Sequence, residues 1–338
     1  MGSVKDLVVL KEAKDNELGL GRFIFSDRYS VFDYGEMPDK IEGKGESLCL
    51  IASYFFEILD KEGIENHYIG VVENGEVKNL KELSSPTNVM EVELVRVIKP
   101  EKGYDVFKTE KTNFLIPLEV IYRNVITEGS SFLKRLKRNE ISLEQFGLKD
   151  LVVNKRLEKP IVDFSTKLED KDRYLNYEEA KNIAGLSDEE FEGLIKLTLK
   201  VDEIITREVE KVGLMNEDGK IEVAFNDKRQ FMVVDALGTP DECRFNYNGV
   251  EMSKEVLRAY YKTTGWYKKL EKVKDVNNWR EKAGIPPKLP DEIKTAVEEM
   301  YKALCNEITS IRFFDVPKLK DVVKMIGELK EKYEGFGT

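Results

Sequence analysis

Apolar residues along this chain repeat at two spacings, and the switches between them sketch its elements. Residues 7–10 (Leu-Val-Val-Leu) and 22–25 (Arg-Phe-Ile-Phe) are strand-forming runs joined by a charged loop that ends in Gly19-Leu20-Gly21. From Leu48 to Asp60 the apolar positions fall at helical spacing and predict the first helix. A loop, a strand and an Asn74-Gly75 turn follow, a pair suited to a tight hairpin. Residues 90–98 alternate cleanly and predict a strand, whereas 100–113, rich in Lys and Glu, predict a surface insertion.

The second half carries sharper signals. Val120, Ile121 and Tyr122 predict a strand entered at Pro117, which delivers Arg123 and then a Gly129-Ser130-Ser131 turn before a basic helix start. Ser187, followed by three acids, caps a helix expected to reach Val212. Alternation over 218–222 puts Asp218, Lys220 and Glu222 on one strand face, and the apolar run 231–234 ends in Asp235. A helix through 301–309 and an amphipathic tail from Arg312 close the chain.

Composition narrows the class. With 338 residues, 41% of them hydrophobic, and 17 Phe and 14 Tyr, the chain has enough apolar surface for a globular protein of two lobes. No apolar run approaches a membrane span, and the first residues lack the apolar core of a signal peptide. Three cysteines (Cys49, Cys243, Cys305) without Cys-x-x-Cys spacing suit a reducing, cytoplasmic setting without structural zinc. A net charge of −10 argues against a nucleic-acid binder, so basic contacts to small anions must be local. His67 is the only histidine, which excludes a multi-histidine metal centre, and it reads as structural.

Three features carry candidate chemistry. Arg123 at a strand end, with the Gly129-Ser130 turn beyond it, offers a guanidinium fork, backbone N–H groups and a hydroxyl to an anion. A glycine-bearing loop flanked by Lys11 and Lys14 resembles a cover for nucleotide phosphates. Glu222 and Asp235 on facing strands present oxygens suited to Mg²⁺, with Lys220 beside them to neutralise a phosphorylated substrate. Each has a plainer reading: an exposed arginine, a hairpin turn, and a hairpin with a polar outer face.

Taken together, the motifs resemble the long form of the SAICAR synthetase family. They are Ser26-Asp-Arg-Tyr-Ser-Val-Phe-Asp33; Gly43-Lys44-Gly45; Arg123-Asn124 leading to Gly129-Ser130; Ser165-Thr-Lys167 with Asp172; Asp218-x-Lys220-x-Glu222; Asp235 followed by Thr239-Pro240-Asp241 and Arg244; and Lys254 with Arg258. The resemblance runs, with gaps, from about residue 9 to 310. It implies an α+β fold in which a small antiparallel nucleotide-covering lobe (1–95) packs on a larger ATP- and substrate-binding lobe (96–311), with the tail 312–338 outside the match. It also implies an ATP-dependent ligase of purine biosynthesis that joins L-aspartate to the carboxylate of carboxyaminoimidazole ribonucleotide through an acyl phosphate.

On that resemblance, Glu222 and Asp235 would hold Mg²⁺, and Lys11, Lys14 and Lys44 would meet ATP phosphates, with Glu91 and Val92 near adenine. Arg123, Ser130, Asp218, Lys220 and Arg244 would hold the ribonucleotide, and Lys167, Asp172 and Lys254 would lie near the substrates. Two departures stand out. Ala236 replaces an acid usual after the metal-binding Asp, and the loop reads Lys11-Glu12-Ala13-Lys14-Asp15, one glycine short and with an acid among its lysines. They leave open a same-fold ligase for another amine and carboxylate, or a non-catalytic nucleotide binder; a homo-oligomer is also left open.

Overall fold

The strand predicted over 218–222 is the long strand that ties the larger sheet together. The structure, a computed structural model, describes residues 4–169 and 171–333. Its smaller sheet has five antiparallel strands, β1 (Lys5–Lys11), β2 (Gly19–Phe25), β3 (Tyr68–Glu73), β4 (Glu76–Lys78) and β5 (Val89–Leu94), in the order β1-β2-β5-β3-β4. Asn74 and Gly75 both have positive φ, 51° and 85°, as the tight turn between β3 and β4 demands. The strand predicted over 90–98 stops at Leu94, where the chain leaves the smaller sheet.

The larger sheet comprises β6 (Phe114–Leu115), β7 (Leu118–Val125), β8 (Arg156–Thr166), β9 (Tyr174–Leu175), β10 (Met215–Phe225), β11 (Phe231–Val234), β12 (Cys243–Tyr247) and β13 (Val250–Glu251). The first half of β10 pairs antiparallel with β7 and β12, and its second half with β6 and β11. Of the helices, α1 (Lys44–Lys61) starts four residues earlier than its apolar spacing indicates, because Gly43 takes a left-handed N-cap with φ 78° and the first turn is itself buried. Next come α2 (Ser131–Lys137), α3 (Tyr177–Ala184) and α4 (Asp188–Glu210), the last begun by a capping box between Ser187 and Glu190. The chain then continues through α5 (Glu255–Lys262), α6 (Gly265–Val273), α7 (Trp279–Ala283), α8 (Asp291–Thr309) and α9 (Leu319–Lys332).

Burial explains the layering. The apolar face of α4, including Leu194, Val201, Ile204 and Ile205, covers the back of β7, β8 and β10. The other face of those strands looks toward the smaller sheet. Helix α1 packs between the smaller sheet and α8, burying Leu48, Ile51, Phe55, Phe56 and Leu59. Helix α9 buries Leu319, Val322, Ile326 and Leu329, lies along α8, and pairs Lys332 with Glu292 at 2.7 Å; residues 334–338 of the tail lie outside the described residues. Among the described residues no helix is long and apolar enough to cross a membrane.

Candidate active site

The front face of β10 changes chemistry along its length. Because side chains alternate, Asp218, Lys220, Glu222 and Ala224 project to the same side. Register places Arg123 of β7 opposite Asp218, Val234 of β11 opposite Glu222, and Met232 opposite Ala224. The face therefore grades from arginines, through a lysine and carboxylates, to an apolar patch of Leu115, Ala224, Met232 and Val234, against which Leu18 and Val95 pack. Asp218 to Glu222 spans about 13 Å at the rise of a strand.

At the arginine end Asp218 accepts from Arg123 at 3.2 Å and from Arg244 at 2.7 Å. Burial would raise its carboxyl, but Arg244 and Arg123 hold it below the usual range. Arg123 is 2% exposed; its fork also donates to Asp163 at 3.0 Å and to the Ser131 hydroxyl at 3.3 Å. Its donors are thus committed inside the protein, which corrects the expectation of an open fork. Asp163 in turn pairs with Arg135, whose guanidinium stacks 4.0 Å from the Tyr174 ring centroid. Ser130 is likewise occupied, its hydroxyl oxygen capping α2 by accepting from Leu133 N–H at 3.2 Å.

In the middle, Glu119 of β7 receives Lys220 at 2.9 Å and Lys167 at 3.3 Å. Burial alone would raise its carboxyl, but the two lysines hold it below the usual range. Lys220 also lies 3.3 Å from Glu242, and that acid is the main cause of its raised ammonium pKa. Asp172 lies in the same field: burial and Glu119 push its carboxyl up while Lys220 pulls it back.

At the carboxylate end, burial and Asp235 push Glu222 up to about 8, with Lys167 beside it at 2.5 Å. Asp235 is held well below the usual range; burial opposes this, but Lys5 and Lys167 outweigh it. The two buried carboxylates therefore crowd each other in a place where a cation would suit both. The backbone of Asp235 is left-handed, φ 71°, an unfavourable state for a residue with a side chain. His67 Nε2 donates to its carbonyl at 3.1 Å, from a ring packed between Phe23 and Phe56. Burial lowers the His67 pKa to about 4, so the ring is neutral.

These two carboxylates fit Mg²⁺, which takes one or two protein carboxylates and fills its remaining positions with waters and substrate phosphates. No cluster of three or more His, Cys, Asp or Glu suited to a metal occurs among the described residues. Ala236, next to Asp235, is buried and adds no oxygen ligand.

Other residues predicted for ATP lie elsewhere. Lys44 is fully buried with its ammonium 2.9 Å from Asp241 and 5.4 Å from the Tyr301 ring centroid, so it has no path to a phosphate. Lys254 sits beside the same acid at 3.9 Å. Lys11 and Lys14 both pair with Glu17 inside their own loop, whose backbone is tied down by Asn113 and Thr112. Glu91 and Val92 cannot offer free backbone groups to adenine, because β5 is flanked on both sides, by β2 and β3. The Glu91 side chain accepts from Arg22 at 2.8 Å.

Sequence reasoning missed Lys5, Glu119, Asp163 and Glu242. Glu119 had a usable signal, since it and Arg123 stand four apart on one strand and so share a face. The others meet the site only through tertiary pairing.

The SAICAR synthetase family profile matches residues 2–273 of this chain. An Archaeoglobus fulgidus protein provisionally named phosphoribosylaminoimidazole-succinocarboxamide synthase is 62% identical over 332 residues, covering 98% of this chain and 100% of its own. The enzyme of that name from Thermoplasma acidophilum is 35% identical over 295 residues, 85% of this chain and 92% of its own. Among solved structures, SAICAR synthase from Saccharomyces cerevisiae complexed with SAICAR has a TM-score of 0.67 at 20% identity, covering 93% of this chain and 95% of its own. A solved structure of SAICAR synthetase (type 2) in complex with ADP gives a TM-score of 0.61 at 22% identity, covering 94% of this chain and 98% of its own. These two establish the fold.

Proposed function

The chain belongs to the SAICAR synthetase family, ligases of purine biosynthesis, and we propose that it joins L-aspartate to the carboxylate of carboxyaminoimidazole ribonucleotide at the expense of ATP. The observation that carries this reading is the graded face of β10. A phosphorylated nucleotide with a carboxylate at its far end needs cations at one end and a metal-binding, phosphate-tolerant place at the other. A face about 13 Å long that runs from arginines to paired carboxylates meets that need.

In this reading the ribonucleotide phosphate approaches Arg244, with Arg123 and Asp218 fixing that guanidinium from behind and Ser130 and Ser131 shaping the turn beside it. Lys220 stands by the reacting carboxylate, and Asp172 and Lys254 flank the substrates. The adenine of ATP lies over Leu115, Met232 and Val234, beneath Leu7 and Leu94. Those two leucines meet at Gly21, where a side chain would come within 2.8 Å of Leu94 and 3.1 Å of Leu7. On this view 1–95 covers the nucleotide and 96–311 holds the substrates, in a cytoplasmic enzyme.

A carboxylate oxygen attacks the γ-phosphorus, ADP leaves, and the acyl phosphate forms. The amine of aspartate then attacks the acyl carbon, the C–N bond forms as the nitrogen loses a proton to the departing phosphate or to water, and the acyl C–O bond breaks so that inorganic phosphate leaves with that oxygen. Such chemistry asks the protein for alignment and charge neutralisation rather than a strong base. Lys220 and Lys167, fixed by Glu119, supply positive charge near the transferring group. Glu222 and Asp235 would hold Mg²⁺, which screens phosphate charge and orients the phosphates when bound.

The test is ADP release with ATP, Mg²⁺, the ribonucleotide and L-aspartate, each omitted in turn. Release that requires all four supports the proposal. Full release with another amine in place of aspartate would instead favour a same-fold ligase of different specificity, a reading motivated by Ala236.

A further inference from the structure

Lys11 and Lys14 pair with Glu17 at the surface, whereas another lysine of the smaller sheet reaches the carboxylates. Lys5, the first residue of β1, extends its ammonium across the cleft to Asp235. It passes 4.9 Å from the centroid of Phe23 and 5.9 Å from that of Phe25, and its side chain is only 15% exposed. This contact joins residues 230 apart and brings the nucleotide-covering sheet directly onto the proposed metal carboxylate.

We propose that Lys5 is a nucleotide-binding residue: it neutralises Asp235 while the site is empty and moves to the nucleotide phosphates when a divalent cation takes that carboxylate. The inference rests on the functional reading above and extends it to a residue outside the β1–β2 loop. A divalent cation on Asp235 repels an ammonium held at the same carboxylate far more strongly than a second ammonium would, so metal binding weakens the Lys5 contact. An arriving phosphate supplies a new anion for the displaced ammonium on the same side of the cleft, beside the apolar roof formed by Leu7 and Leu94.

Two binding measurements on the full-length protein separate this role from a simple tie between the sheets. One is calorimetric ADP affinity in saturating Mg²⁺; the other is Mn²⁺ affinity of the nucleotide-free protein by electron paramagnetic resonance. For Lys5→Met, loss of one charge-assisted contact should weaken ADP binding in saturating Mg²⁺ about tenfold, and loss of the competing cation should tighten Mn²⁺ binding to the nucleotide-free protein by about the same factor. Lys5→Arg should restore ADP affinity. Opposite shifts support the proposal; unchanged affinities, or both weakened together, overturn it. Absence of ADP binding to the wild-type protein, with or without Mg²⁺, overturns the functional reading itself and this proposal with it.

Discussion

Glu119 holds Lys220 at 2.9 Å on the front face of the larger sheet and grips Lys167 with the same oxygen at 3.3 Å. One buried carboxylate thus fixes the positions of two ammonium groups beside Glu222. Glu119→Gln keeps the shape and removes the charge that orders both lysines. Steady-state kinetics should show kcat falling by about 10²-fold with little change in the KM for ATP, the expected scale for misplaced reacting groups. An unchanged kcat would remove Glu119 from the site.

Arg123 separates two readings of one residue. As a scaffold for Asp163 and Asp218, its replacement by Met leaves two buried carboxylates short of a partner. Denaturant unfolding should then show a loss of about 3–5 kcal/mol. A ligand fork facing the cleft would instead raise the KM for the ribonucleotide and leave stability near wild type.

Glu222→Gln removes a proposed metal oxygen while relieving the crowding of two buried carboxylates. Mg²⁺-dependent ADP release should fall by at least about 10³-fold, since the metal supplies several kcal/mol. The melting temperature should stay level or rise. Retained turnover would move the metal elsewhere.

Asp202 gives a pH signature away from the reacting groups. It is buried beneath the sheet, accepting from Asn124 at 2.7 Å and Asn216 at 3.2 Å, and burial raises its pKa to about 6. The folded state therefore binds its proton more tightly than the unfolded chain. The resulting stabilisation is complete below the unfolded value and is lost as pH rises through about 6. Asp202→Asn should consequently gain on wild type between pH 4 and pH 7, by a few kcal/mol at the scale of about 1.4 per pKa unit. Melting curves across that range check it; a difference that does not vary with pH would contradict the assignment.

What could be read from the sequence follows the range of the forces involved. The capped start of α4, the Asn74-Gly75 turn and the face shared by Asp218, Lys220 and Glu222 are local patterns, set by neighbours a few residues away. Charge pairing across the fold is not local. Arg123 meets Asp163 and Asp218 at separations of 40 and 95 residues, and Lys5 meets Asp235 at 230. Nothing near Lys44 in sequence shows that Asp241 will consume its charge inside the core. Lys5 escaped notice because a polar residue at a strand end leaves no mark in an apolar pattern. The α+β fold was legible through motif resemblance, whereas the division of labour among the lysines was not.

The acyl phosphate is the centre of the account, and isotope transfer tests it most directly. The ribonucleotide would be labelled with ¹⁸O in its carboxylate and turned over with ATP, Mg²⁺ and L-aspartate, and the inorganic phosphate examined by mass spectrometry. One carboxylate oxygen is expected in each phosphate released, matched to the amide formed. Unlabelled phosphate accompanying ADP release would contradict it, because ATP would then be cleaved by water rather than by the substrate's carboxylate.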